Sequence, residues 1–113
     1  MSKRLEQVDE LIRSTLGKII LEEIEMPLGT FATITHVQTT PNLKNATIYF
    51  SILPDNKLAS TFAFLQKKIG VLQYHLGQNL RLRFTPRITL KIDLTEQKAH
   101  HIDTLLDNLQ NKQ

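Results

Sequence analysis

A hydrophobic repeat that changes its period at Leu80 constrains this chain more than any other feature. Leu58, Phe62, Leu65, Ile69, Leu72, Leu76 and Leu80 follow one another at steps of three or four. That spacing places all of them on one stripe of a helix. From Leu80 the step becomes two. Leu80, Leu82, Phe84, Ile88, Leu90 and Ile92 share one parity, while Arg81, Arg83, Thr85, Arg87, Thr89 and Lys91 share the other. Alternation puts the two sets on opposite faces of a strand. The chain must therefore run from a helical stripe straight into a strand, predicted over Leu80–Ile92, with one apolar and one basic face. Gly70 interrupts the stripe, and glycine inside a helix costs about 0.5–1 kcal/mol relative to alanine. The prediction is helix, kink at Gly70, helix, with Gly77 as the C-cap of the second segment. Pro86 falls on the apolar parity and cannot donate to a ladder, so it marks an edge strand or a bulge.

The remaining elements follow from the same periodicities. Residues 3–24 read as an amphipathic helix carrying Leu5, Val8, Leu11, Ile12, Leu16, Ile19, Ile20 and Ile24. Ser2 is its expected N-cap, and Pro27 stops it ahead of a turn at Leu28-Gly29. Thr30 to Thr40 reads as a strand whose alternation slips between Ile34 and Val37, through a bulge or two-sided burial. Pro41-Asn42 is a turn. Asn45 to Leu53 is a clean strand, with Ala46, Ile48, Phe50 and Ile52 on one face. The short connection predicts an antiparallel hairpin. Asp93-Leu-Thr-Glu96 resembles a capping box, and Ile102, Leu105, Leu106 and Leu109 predict a short C-terminal helix before a frayed end. The order is α–β–β–α–α–β plus a terminal helix. Three half-apolar strands need helical cover, giving a two-layer α+β fold, and the helical crossover from the second strand to the third predicts a mixed sheet. With 113 residues, the expectation is one domain over 1–113, its core about 3–93 and residues 94–113 a helix and tail.

Charge is distributed unevenly. Residues 56–92 hold seven basic side chains and no acidic one, whereas residues 1–55 and 93–113 are each net acidic by two. A concentrated positive field suits a polyanion partner; a solvated surface fits the same charges, and charge alone does not separate the two. The chain has no cysteine, which removes disulfide and thiolate chemistry and accords with a reducing cytosol. No apolar run nears the roughly 18 residues that span a membrane, and acidic residues interrupt the N-terminal segment. Soluble, cytoplasmic protein is expected. His36, His75, His100 and His101 show no metal-ligand spacing on a helix face, and the phosphate-loop, dinucleotide and nucleophile-elbow motifs are absent. No carboxylate lies between Asp55 and Asp93, so an acid–base pair cannot come from the middle of the chain. The expectation is no enzyme, no metal, no cofactor and no small-molecule substrate.

An ordered set of segments carries a family resemblance. It comprises Arg4 and Val8 in the first helix, Pro27-Leu28-Gly29, Ile34-Thr-His-Val37, Asn42-Leu43, and Ala46-Thr-Ile-Tyr49-Phe-Ser-Ile-Leu53. It continues with Leu65-Gln, Gly70, Leu76-Gly77, Leu80-Arg-Leu-Arg83, Pro86, Asp93 and Ile102-Asp-Thr-Leu-Leu106. Over roughly Lys3 to Leu106 the chain resembles ribosome-binding factor A, the bacterial small-subunit assembly factor. The resemblance implies a type II KH-like fold, a monomer that binds free small ribosomal subunits through rRNA, and a role in late maturation and rRNA processing, often tied to growth in the cold. KH domains hold backbone with a G-x-x-G loop; this chain has none. The family has an Ala-x-Gly kink, which reads Lys68-Ile69-Gly70 here. Where the family has Pro-Glu-Leu, the chain has Pro86-Arg87-Ile88, and Asn42 replaces a common acidic residue.

The expected RNA surface joins the kink to the basic strand: Lys67, Lys68, Gly70, Arg81, Arg83, Arg87 and Lys91, extended by Arg4 and Lys3. Such contacts position a protein on phosphates without reading sequence. Tyr74 is the tyrosine nearest the kink, so base stacking is expected to be minor. The alternatives are a general RNA-binding module, or an adaptor whose Leu105-Leu106-Leu109 stripe docks a protein.

Overall fold

The computed structural model describes residues 3–95. Helix α1 spans Lys3–Glu23 and turns Val8, Ile12, Leu16, Ile19 and Ile20 inward. Past its end the Pro27 carbonyl accepts both the N–H (3.2 Å) and the hydroxyl (2.6 Å) of Thr30. Gly29 takes φ 77° within that turn, a conformation open to glycine and strained for most other residues. Ser2, the expected cap, lies outside the described residues.

Strands β1 (Phe31–Thr39) and β2 (Asn45–Leu53) pair antiparallel. Their register shifts between Ile34 and His36, leaving Thr35 as the extra residue of a bulge. This is why Ile34 and Val37 are both buried although their parities differ. In the turn, Asn42 Oδ1 accepts from the Thr40 hydroxyl (2.6 Å) and the Lys44 N–H (3.0 Å), and Leu43 takes φ 61°. Asp9 Oδ1 accepts the Thr39 N–H at 2.9 Å, tying α1 to the open edge of β1.

A 3₁₀ turn at Asp55–Lys57 leads into helices α2 (Leu58–Lys67) and α3 (Ile69–Asn79). The predicted stripe holds: Leu65, Leu72, Leu76 and Leu80 are buried, and Leu58, Phe62 and Ile69 pack partly against the same core. The break sits at Lys68 rather than Gly70. Lys68 adopts φ −93° and ψ 5°, off the helical well. Its N–H is shared between the carbonyls of Phe64 (3.2 Å) and Leu65 (3.0 Å), and its carbonyl accepts from Leu72 at 3.0 Å, so no backbone group is stranded. Gly70 lies in the first turn of α3. A Cβ placed there meets nothing within 4 Å, so neither strain nor close packing calls for glycine. Gly77 also lies inside α3, which runs on to Asn79, and is not its cap.

Strand β3 is Arg87–Ile92 and runs parallel to β2, giving a mixed sheet of order β1-β2-β3. The predicted start at Leu80 is corrected. β2 begins at Asn45, opposite Arg87, so residues 80–86 have no strand to pair with. Pro86 has no N–H to offer, and the first ladder bond is Arg87 N–H to the Lys44 carbonyl at 2.9 Å. Phe84, expected to face inward, is 74% exposed. The outer edge of β3 is closed by Gln73 of α3. Its Nε2 donates to the Pro86 carbonyl (3.0 Å) and its Oε1 accepts the Ile88 N–H (2.9 Å).

Buried sheet residues share one face: Ala46, Ile48, Phe50 and Ile52 of β2 with Ile88 and Leu90 of β3. The three helices pack on that side. Ile12, Ile48, Ile52, Leu65, Leu72 and Leu76 retain 0% exposure; burying each such side chain contributes roughly 1.5–3 kcal/mol. The opposite face is open. Asp93 Oδ1 accepts the Thr95 N–H at 2.9 Å, while the Asp93 N–H donates to the Phe50 carbonyl at 2.7 Å. Glu96, the predicted terminal helix with its leucine stripe, and His100 and His101 lie outside the described residues.

Candidate nucleic-acid interface

Three segments meet at the end of the sheet where β2 and β3 begin. These are the start of α1, the β1–β2 turn and residues 82–85. They line a cleft of about 710 Å³ whose cations are Arg4, Lys44 and Arg83. Leu43, Leu82 and the exposed ring of Phe84 form its apolar walls, with Asn42 and Thr85 beside them, and among the described residues no acidic one lines it. Arg87 adjoins through its backbone bond to Lys44. The wall at 82–85 is held from behind: Gln73 grips Pro86, and Thr85 Oγ1 sits 3.4 Å from where a Cβ on Gly77 would lie.

The structure distributes the expected RNA residues over several places. Arg4 and Arg83 share the cleft. Arg81 is exposed on the same connecting segment. Arg87 and Lys91 stand on the open face of β3 with Thr89 between them, and Lys91 pairs in register with Tyr49. Lys67 ends α2, and Lys68 lays its ammonium 5.5 Å from the centroid of the Phe64 ring. Gly70 is exposed nearby in sequence. Lys3 lies apart from the cleft lining, in a shallow depression with Glu6 and Glu10. Sequence reading missed Lys44 and Phe84. Lys44 lies in the acidic half of the chain and joins the cations only through the hairpin. Phe84 was hidden by an alternation that continues past Pro86 without a strand beneath it.

Arg13 pairs with Glu10, and imidazole nitrogens of His36 and His75 lie 3.8 Å and 3.6 Å from carboxylate oxygens of Asp93 and Glu23, contacts that are ionic only when the imidazole is protonated. None engages a cation of the cleft. A separate depression of about 380 Å³ between α1 and α3 has mixed charge, with Glu22 and Glu23 beside Lys18 and His75.

The β1 bulge builds a second polar cluster. The Thr35 hydroxyl donates to Asp93 Oδ2 at 2.6 Å, and His36 Nδ1 lies 3.8 Å from the same oxygen. The His36 ring stacks on Tyr49 at 4.1 Å between centroids. The Thr35 hydroxyl bond, then bonds from Thr95 and the nearby His36, hold the Asp93 carboxyl down at about 2. The threonine hydroxyl serves the carboxylate as a donor, so the arrangement latches β1 to the end of β3. Among the described residues no three His, Cys, Asp or Glu side chains are placed to hold a metal, and no helix is long and apolar enough to cross a membrane.

Fold and site together define a small two-layer α+β protein with a cation-lined cleft at one end of its sheet. A sequence model of ribosome-binding factor A matches residues 4–106, and the chain belongs to that family. Solved structures share the fold. A solution structure of a Thermotoga maritima protein described as a candidate ribosome binding factor A is 21% identical, with 80% of this chain and 88% of that one covered and a TM-score of 0.67. The crystal structure of ribosome-binding factor A from Thermus thermophilus is 16% identical over 78% of this chain and 93% of its own, with a TM-score of 0.64. A homology model of the Thermus thermophilus factor, fitted into a cryo-EM map of its 30S complex, is 16% identical over 75% and 90%, with a TM-score of 0.63.

Proposed function

We propose that this protein binds the small ribosomal subunit through rRNA and assists its late maturation and rRNA processing, acting as a cytoplasmic monomer with particular weight in the cold. The observation that carries the reading is the cleft that gathers Arg4, Lys44 and Arg83 with no carboxylate in its lining among the described residues. Cations left without acidic neighbours in a protein suit phosphates, which position it without reading bases. Arg81, Arg87 and Lys91 extend the contact along the connecting segment and the open face of β3; Lys67, Lys68 and Gly70 form a second contact at the α2–α3 break. Family membership supports the choice of RNA, as does the Thermus thermophilus relative fitted into a 30S complex. The order α–β–β–α–α–β with a helix break supports a type II KH-like reading of the fold. Co-sedimentation with free small subunits and with complete ribosomes tests the function. An assembly factor binds the free subunit more tightly; equal binding to complete ribosomes contradicts the proposal.

A further inference from the structure

We propose that the cleft between Arg4, Lys44 and Phe84 receives one unpaired RNA nucleotide, with its base on the Phe84 ring and its phosphates on the three cations. This rests on the RNA-binding reading and narrows it from backbone contact to a single-stranded feature.

The Phe84 ring is 74% exposed, although a phenyl group gains by leaving water. It opens onto a cleft of about 710 Å³, inside the roughly 300–1,000 Å³ range of small-ligand sites. The Arg83 guanidinium lies 5.5 Å from the ring centroid, so aromatic surface and positive charge are presented together. Arg4 reaches the cleft from α1 and Lys44 from the hairpin turn. Three cations around one aromatic ring fit a base with its flanking phosphates, because stacking needs only a π-face and the cations need only phosphate oxygens. An apolar peptide would strand those charges, and the bases of an intact duplex stay in their own stack, out of reach of Phe84. Asn42 lines the site with its Oδ1 already engaged by Thr40 and Lys44, which leaves its amide to donate to a base edge. The pocket wall is preformed, because Gln73 fixes Pro86 and Thr85 rests near Gly77. Little ordering is required on binding, which favours affinity.

The test compares a short single-stranded RNA carrying a fluorescent adenine analogue with a duplex of the same length, using the native protein and Phe84→Ala. Because Phe84 is exposed, its removal leaves the fold intact, which a thermal melt verifies. The native protein is expected to prefer the single strand and to quench the analogue. Phe84→Ala is expected to lose single-strand affinity roughly 5- to 100-fold, together with the quenching, and to keep duplex affinity. A Phe84→Ala variant that retains the preference overturns the proposal, as does a native protein that binds the single strand no better than the duplex. If small-subunit co-sedimentation is intact in either case, only the nucleotide pocket falls. If the native protein fails to bind small subunits at all, the RNA reading falls and the pocket with it.

Discussion

Asp93 ties the bulge of β1 and the segment after β3 to one side chain. Its Oδ2 accepts the hydroxyl of the bulge residue Thr35 and lies near His36, while its Oδ1 accepts the Thr95 N–H. The folded carboxyl titrates at about 2, below its ordinary 3.8. A depressed carboxyl stabilises the fold above its unfolded value and loses that contribution as pH falls toward its folded value. Asp93→Ala is therefore expected to cost about 1.5–3 kcal/mol at neutral pH, the range for hydrogen bonds to a charged group. The gap between the native and variant melting temperatures should close between about pH 4 and pH 2; a gap constant through that window contradicts the assignment. The sequence marks Asp93 as the cap of a helix that lies outside the described residues. Its link to Thr35 was not legible, because the bulge that turns Thr35 toward it depends on the pairing of β1 with β2. Phe84 shows the converse. Its parity was plain, but parity has structural meaning only where a partner strand exists, and none pairs with residues 80–86.

At the level of elements, periodicity carried far. The seven stripe residues from Leu58 to Leu80 all pack inward, and the slip between Ile34 and Val37 is a bulge. What failed was the assignment of breaks to glycines. The helix pair divides at Lys68, where the backbone leaves the helical well while its N–H is shared by two carbonyls. A lysine reaches that conformation without positive φ, so composition gave no signal. Gly70 sits in regular helix with open space around its Cα. Gly70→Ala is accordingly expected to raise stability by about 0.5–1 kcal/mol. Denaturant titration checks this; a loss of stability would show that the break depends on glycine after all. The same variant, assayed for subunit binding, reports whether RNA approaches the backbone there, since an added methyl group obstructs such an approach and leaves a purely conformational glycine silent.

Across the whole molecule, the seven-to-none charge imbalance of residues 56–92 suits a polyanion partner or a solvated surface alike, and it does not reveal how the cations are arranged in space. The predicted row of four cations on one strand divides into Arg83 in a cleft at the sheet end, Arg81 exposed on the connecting segment, and Arg87 with Lys91 on the open sheet face. Chain reversal brought Arg4 and Lys44 to the cleft from the acidic half, and no linear charge count anticipates that. We propose that these cations hold the small subunit through phosphate contacts. The most direct test is co-sedimentation of the native protein and the Arg81→Glu, Arg83→Glu double variant with free small subunits across a salt series. The native protein should lose affinity with a log–log slope of about −6 to −7, as expected for roughly eight phosphate contacts. The variant should bind about tenfold or more weakly at low salt with a shallower slope, while its melting temperature stays within about 2 °C of native. A double variant that folds and binds as tightly as the native protein, with the same salt dependence, would contradict the account.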